Sequence, residues 1–121
     1  FKQYNDQFGH SAGDIVLKTI GDYLNSFFDG PGHLVCRYGG EEFSVLLPQT
    51  SLKKSLALAE DLRRNINAID IVLRREKTRV SVSIGIASFP KTAKTKEELL
   101  HQADQALYQA KEEGRNRVCS F

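Results

Sequence analysis

The sequence has few of the features that mark secreted, membrane-spanning or strongly charged proteins. Its 121 residues contain only two cysteines, too few for a disulfide framework, so we expect Cys36 and Cys119 to be buried free thiols in a reducing compartment. No apolar run is long enough to cross a membrane, and the start FKQYNDQFGH lacks the basic and apolar stretches of a signal peptide. Lys and Arg total 17 against 15 Asp and Glu, and a net charge of +2 is too small to indicate nucleic acid or an anionic membrane as partner. One small cytoplasmic domain is therefore expected.

The hydropathy pattern predicts helices alternating with strands. Helices are predicted to begin after Ser11 in an S-x-x-D start, near Leu52, and after Thr95 in a T-x-x-E capping box whose helix ends at Gly114. Strands are predicted at residues 34–38, 43–47, 71–74, 80–87 and 118–121, with a charged loop over 74–78. This order needs one more strand at its start to give a ferredoxin-like βαββαβ layout of the α+β class with an extra C-terminal αβ. Because the chain also lacks an initiator Met, we expect that its first strand is missing.

The segment Gly39-Gly40-Glu41-Glu42 lies between two predicted strands and indicates a hairpin turn. Glycines let a ligand approach the backbone closely, since no Cβ intervenes. Two adjacent carboxylates can hold a hard cation such as Mg²⁺ through oxygen ligands. For these four residues alone, the simpler interpretation is a tight turn with solvated glutamates.

Four motifs together resemble the GGDEF domain family, the diguanylate cyclases. RYGGEEF resembles the family's signature hairpin, and the other three motifs stand in the family's order: FKQYND with FGHSAGD, VSIGIA, and ADQALYQAK with GRN. The resemblance covers essentially the whole chain and implies one domain, residues 1–121, with a palm fold of the nucleotidyl cyclase type that lacks its N-terminal strand. It implies condensation of two GTP molecules into cyclic di-GMP with release of pyrophosphate.

The resemblance also assigns roles to the hairpin. It implies that Glu41 is catalytic and binds Mg²⁺, or Mn²⁺ in its place, and that Glu42 is a supporting acid. It implies that Gly39 and Gly40 contact the substrate. A metal ion beside a carboxylate lowers the pKa of the attacking hydroxyl and neutralises phosphate charge.

Five further substrate residues follow from the resemblance, and all but Asn5 have a simpler alternative. Asn5 and Asp14 match the pair that reads guanine, although Asp14 alone would be interpreted as a carboxylate serving the start of a helix. His10 matches a histidine near the substrate, whereas a lone histidine before a helix is usually structural. Lys111 and Arg115 match the ligands of the β- and γ-phosphates, although cations near a helix C-terminus also suit the helix dipole.

Two positions depart from the family pattern. The family's first metal carboxylate precedes the FK pair and so lies before Phe1, and for this reason we expect residues 1–121 alone to be inactive. The product-inhibition motif R-x-x-D is replaced by Gly30-Pro31-Gly32-His33, so we expect no inhibitory site there.

The implied partners are GTP, a second copy of the domain in an active homodimer, and an N-terminal sensory or receiver module. The implied location is the cytoplasm, or the cytoplasmic part of a membrane-anchored receptor, with no direct membrane contact by the domain and no nucleic acid. Two alternatives stay open. One is a non-catalytic switch that binds GTP or cyclic di-GMP; the other is a single-stranded RNA-binding module, which would carry exposed aromatics on its strands.

Overall fold

The structure is a computed structural model that describes residues 2–121, with side chains from Asn5 onward. The helices are α1 (Lys2–Phe8), α2 (His10–Phe27), α3 (Leu52–Asn67) and α4 (Lys96–Glu112). The strands are β1 (Leu34–Gly39), β2 (Glu42–Leu46), β3 (Ile71–Leu73), β4 (Glu76–Thr78), β5 (Ile84–Ile86) and β6 (Val118–Ser120). The strands pair as β1–β2, β3–β4 and β5–β6. In the described part of the chain no helix is long and apolar enough to span a bilayer.

The chain forms two compact units. The first contains the residues up to Pro48 and Ile71–Lys77, and the second contains Gln49–Asp70 and Thr78–Phe121.

The first unit is built around helix α2, which packs against α1 and β1. Apolar residues at helical spacing give α2 its buried face: Ala12, Val16, Leu17, Ile20 and Leu24. Strands β1 and β2 form an antiparallel hairpin, and a methyl group at Gly21 would stand only 3.5 Å from the ring of Phe43. The hairpin and the helices α1 and α2 therefore share one packed unit.

The start of α2 differs from the prediction. Gly9 is the N-cap, at φ 90°, a conformation that glycine adopts without steric cost, and no side chain caps this helix. Ser11 consequently lies inside α2, and its predicted capping role is wrong. Gly9 also separates α2 from α1, a helix that the hydropathy pattern did not predict.

The second unit places α3 and α4 against the parallel pair β5–β6. Both helices begin at a side-chain cap: the Lys54 N–H donates to Ser51 Oγ and the Glu98 N–H donates to Thr95 Oγ1, each at 3.1 Å. The core of this unit consists mainly of small and branched apolar residues: Ala59, Leu62, Ile66, Ala93, Ala106 and Ala110. This bond to Thr95 confirms the first of the two hydrogen bonds of the predicted capping box.

Three local expectations are corrected. The strand expected over 80–87 is confined to Ile84–Ile86, and the charged loop expected at 74–78 contains strand β4. Cys36 and Cys119 are free thiols as predicted, but Cys36 is exposed and Cys119 is half-buried. The expected burial of Cys36 is wrong because β1 is a strand of a two-stranded hairpin that exposes one face.

Candidate active site

A cavity of about 390 Å³ opens in the first unit between the two N-terminal helices and the tip of the β1–β2 hairpin. Its lining combines carboxylate, amide, imidazole and guanidinium groups: Asn5, Asp6, His10, Asp14, Leu17, Arg37, Gly40 and Glu41. Pockets of this size, mostly apolar with a few converging polar groups, are the usual sites of small ligands.

The hairpin tip positions Glu41 at the cavity. Gly39 pairs with Glu42 across the hairpin, so Gly40 and Glu41 form the turn. Gly40 has φ 50°, whereas Gly39 has no positive φ, so only the second glycine supplies the left-handed conformation. The guanidinium of Arg37 donates from Nε and Nη2 to the carbonyl of Gly40, at 2.9 and 2.5 Å. This fork fixes the turn and leaves Glu41 exposed at its tip.

Asn5 contributes an acceptor that the described residues leave unsatisfied. Its Oδ1 atom is buried without a hydrogen-bond partner, although its backbone carbonyl accepts from the Gly9 N–H at 2.7 Å. A buried acceptor without a donor costs about 1–3 kcal/mol, so such a group at the wall of a cavity is suited to a donor on a ligand.

Asp14 presents a second acceptor at the same cavity. It lies beyond the first turn of α2, which contains no acidic residue, so it does not serve the start of the helix. Asp14 is exposed and lines the cavity together with Asn5 and Glu41. Amide and carboxylate oxygens can accept hydrogen bonds from the N1–H and N2–H donors of guanine.

The donor set is compatible with a metal ion that is shared with a phosphate ligand. Within residues 2–121 as described, no three His, Cys, Asp or Glu side chains form a cluster that could hold a metal ion by themselves. Mg²⁺ in nucleotide enzymes is usually bound by one or two carboxylates together with substrate phosphates. Glu41 can supply such a carboxylate.

The cavity gathers part of the set of site residues predicted from the sequence. Asn5, His10, Asp14, Gly40 and Glu41 line it. Gly39 and Glu42 belong to the hairpin but are not among the residues that line this cavity, and Lys111 and Arg115 lie in the second unit.

Three lining residues were not predicted, although each has a signal in the sequence. Asp6 follows Asn5 directly, and Leu17 lies three residues after Asp14, on the same side of a helix. Arg37 stands three residues before Gly40, within reach of a turn carbonyl.

In the second unit, the segment after α4 carries Arg115 in an uncommon backbone conformation. The Arg115 N–H donates to the Ala110 carbonyl at 2.9 Å and the Gly114 N–H to the Lys111 carbonyl at 3.4 Å, which is the Schellman pattern of a helix end. Gly114 has φ 116°, and Arg115 and Asn116 follow at φ 64° and 47°. The left-handed conformation costs a residue such as Arg115 roughly 1–2 kcal/mol, whereas asparagine adopts it more readily, so other contacts must favour it at Arg115.

Comparison with known proteins identifies the family. The family described as diguanylate cyclase, GGDEF domain, matches residues 1–117. The chain belongs to this family. Diguanylate cyclase A of Treponema denticola is 39% identical over 118 residues, which make up 98% of this chain and 32% of that protein. The chain thus spans about a third of the length of this curated relative.

Solved GGDEF domains have the same fold. The crystal structure of the GGDEF domain of YfiN (TpbB) from Pseudomonas aeruginosa matches with a TM-score of 0.93 and 38% identity, covering 99% of this chain and 74% of the other. The GGDEF domain of DgcB from Caulobacter crescentus in complex with c-di-GMP matches with a TM-score of 0.88 and 28% identity, covering 99% and 71%. The prediction of an α+β fold of the cyclase palm type is confirmed.

Proposed function

We propose that this GGDEF domain is a diguanylate cyclase that condenses two GTP molecules into cyclic di-GMP and releases pyrophosphate in the cytoplasm. The observation that supports it best is the cavity at the hairpin tip, which Glu41, Asn5 and Asp14 line together. Membership of the family and the c-di-GMP complex of the solved DgcB domain agree with this proposal.

In the proposed reaction, the 3′-oxygen of each GTP attacks the α-phosphorus of the other. A new oxygen–phosphorus bond forms, the bond to the bridging oxygen of the β-phosphate breaks, and pyrophosphate leaves with its electron pair. Asn5 and Asp14 hold guanine by accepting from its N1–H and N2–H, and this orients the ribose. Glu41 helps to remove the hydroxyl proton. Because each GTP must meet another, the active form is a homodimer.

Cyclases of the GGDEF family generally depend on a divalent metal. We propose that Glu41 holds Mg²⁺, or Mn²⁺ in its place, together with the phosphates of GTP. When bound, the metal lowers the pKa of the attacking hydroxyl and neutralises phosphate charge. The fork from Arg37 to the Gly40 carbonyl keeps Glu41 at a fixed place in the turn.

The remaining predicted residues complete the proposal. Lys111 and Arg115 bind the β- and γ-phosphates, with Arg115 supplying a planar fork and Lys111 a point charge. Glu42 supports Glu41, Gly39 and Gly40 allow close approach of the substrate, and His10 lies near it. A sensory or receiver module in the whole protein sets the dimer geometry.

The experiment measures cyclic di-GMP formed from GTP and Mg²⁺ by the purified full-length protein and by its Glu41→Gln variant, because residues 1–121 alone are expected to be inactive. Loss of the carboxylate charge is expected to lower the rate by about 100-fold or more, the range of a lost acid–base group. Glu97→Gln is the matched control, since Glu97 is an exposed glutamate in the first turn of α4. Wild-type protein that binds GTP without forming product would instead be a nucleotide-binding switch. Full activity of a folded Glu41→Gln protein would remove Glu41 from the mechanism.

A further inference from the structure

The segment Gly114–Asn116 contains three successive residues with positive φ, and two of them are not glycine. A Schellman helix end needs one left-handed residue, which Gly114 supplies. The conformation of Arg115 and Asn116 is therefore not explained by the helix end. Locally, Arg117 Nε donates to the Arg115 carbonyl at 3.1 Å, and a second contact reaches the segment from elsewhere in the second unit.

That contact comes from helix α3. Arg63 Nη1 donates to Asn116 Oδ1 at 2.9 Å across 53 residues of sequence. The Arg63 side chain is only 18% exposed, whereas Asn116 is exposed, so the bond joins a largely covered guanidinium to a surface segment. The backbone that follows Asn116 is joined to β5, because the Ile84 N–H donates to the Arg117 carbonyl at 3.0 Å.

Glu60 fixes the other edge of the Arg63 guanidinium. Arg63 Nε lies 3.2 and 3.1 Å from the two carboxylate oxygens of Glu60, and Nη2 bonds to Oε1 of the same carboxylate. The Arg63 side chain lowers the pKa of Glu60, mainly through this hydrogen bond, and Glu60 in turn raises the pKa of Arg63. With one edge held by Glu60, the free Nη1 is aimed at Asn116.

We propose that Arg63, held by Glu60, is a positioning residue for Arg115. The bond from Arg63 to Asn116 fixes the left-handed segment, and the segment sets the place from which the exposed Arg115 guanidinium reaches a triphosphate. This inference rests on the proposed function, in which Arg115 binds the β- and γ-phosphates. A misplacement of about 1 Å is enough to weaken such a contact severely.

The test compares equilibrium binding of α,β-methylene GTP, which cannot be cyclised, with binding of GMP, which has no β- or γ-phosphate. Arg63→Gln is expected to weaken binding of the triphosphate about 5- to 10-fold and to leave binding of GMP unchanged. Asn116→Gly removes the acceptor but tolerates positive φ, so it should have the same effect. Asn116→Asp keeps an acceptor for Arg63 and should restore binding.

Arg64→Gln is the matched control, because Arg64 is the neighbouring arginine of α3 and pairs with Asp61 and Glu60 at the surface. It should leave both affinities unchanged. An Arg115→Ala background tests whether Arg63 acts through Arg115. There Arg63→Gln should weaken triphosphate binding no further, since the guanidinium that Arg63 positions is gone.

The two proposals fail in different ways. If wild-type protein does not bind the triphosphate, the proposed function is wrong and this inference falls with it. If wild-type protein binds it and Arg63→Gln binds equally well, only the positioning role is wrong. Equal losses for the triphosphate and GMP, or an undiminished loss in the Arg115→Ala background, would mean that Arg63 merely stabilises the fold.

Discussion

Replacement of Gly85 by alanine tests the packing of β5 against α4. A methyl group at Gly85 would stand 2.7 Å from Leu107 Cα, and nearer still to Leu107 N and the Ala103 carbonyl oxygen. All three atoms belong to the backbone of α4, so no side chain can rotate away. Overpacking typically costs about 1–3 kcal/mol, and a rigid helix backbone places this site at the upper end.

Part of this cost is offset, because alanine reduces the entropy of the unfolded chain by about 0.4–1 kcal/mol. The expected net loss is therefore roughly 2 kcal/mol or more. With a urea m-value of about 1–2 kcal/mol/M for a small protein, the unfolding midpoint should fall by about 1–2 M. Urea titration followed by far-UV circular dichroism measures it.

Gly39→Ala is the control for this measurement. Gly39 has no positive φ, and a methyl group there would meet nothing within 4 Å, so its stability should stay within about 0.5 kcal/mol of wild type or rise slightly. An unchanged midpoint for Gly85→Ala would refute the close contact between β5 and α4. Equal losses for both variants would assign the effect to glycine replacement in general.

Two further predictions concern charge and regulation. Arg63 holds the pKa of Glu60 below its usual value, so the stability that this pair adds is complete above the unfolded pKa of about 4.3 and is lost as the pH falls through the lower folded value. A carboxyl titration by NMR should return the Glu60 pKa to its usual range in Arg63→Gln, and an unchanged pKa would contradict the pairing. Product inhibition is expected to be weak, because the turn at Gly30–His33, where the His33 N–H donates to the Gly30 carbonyl at 3.1 Å, carries neither the Arg nor the Asp of the R-x-x-D motif. Progress curves with added cyclic di-GMP measure this, and tight noncompetitive inhibition would show a site elsewhere.

The sequence predicts helix ends well where they depend on neighbouring residues. Thr95 and Gly114 bound α4 as expected, since a hydroxyl cap and a left-handed glycine act within a few residues. Even there the capping box is not reciprocal, because the Glu98 carboxylate accepts from the Lys94 N–H at 2.9 Å rather than from Thr95. Ser11 fails as a cap because Gly9 starts the helix two residues earlier.

Features that depend on distant contacts could not be predicted in this way. Strand β4 follows Arg74 and Arg75, which take φ 50° and 69° although arginine does not favour this region. Ile71 and Leu73 are only 5% and 6% exposed, and their burial offsets the free-energy cost of the left-handed residues in the turn. The charged residues of segment 74–78 have low strand propensity, so the local sequence alone predicts a loop there.

The candidate site likewise combines features that the sequence predicts with features that only the structure shows. Residue type and spacing alone left Asp14 and Glu41 with simpler interpretations, and only the match to a family placed them at a substrate. The structure adds the unsatisfied Asn5 Oδ1, which depends on how α1 and α2 pack in the first unit. It also adds the fork of Arg37 on the Gly40 carbonyl, which is local to the hairpin.

Two pairs of adjacent non-glycine residues with positive φ differ in what maintains that conformation. Arg74 and Arg75 occupy the turn of a short hairpin, where two successive positive φ values match the twist of the paired strands and the burial of Ile71 and Leu73 offsets their cost. Arg115 and Asn116 connect a helix to a strand, where no such requirement exists. Strain persists only where the surroundings over-determine it, and here two guanidinium groups contribute: Arg117 Nε donates to the Arg115 carbonyl at 3.1 Å, and Arg63 donates to Asn116 from helix α3. Because the second bond spans 53 residues of sequence, replacing Arg63 tests whether the segment is held in place for the Arg115 side chain that it presents.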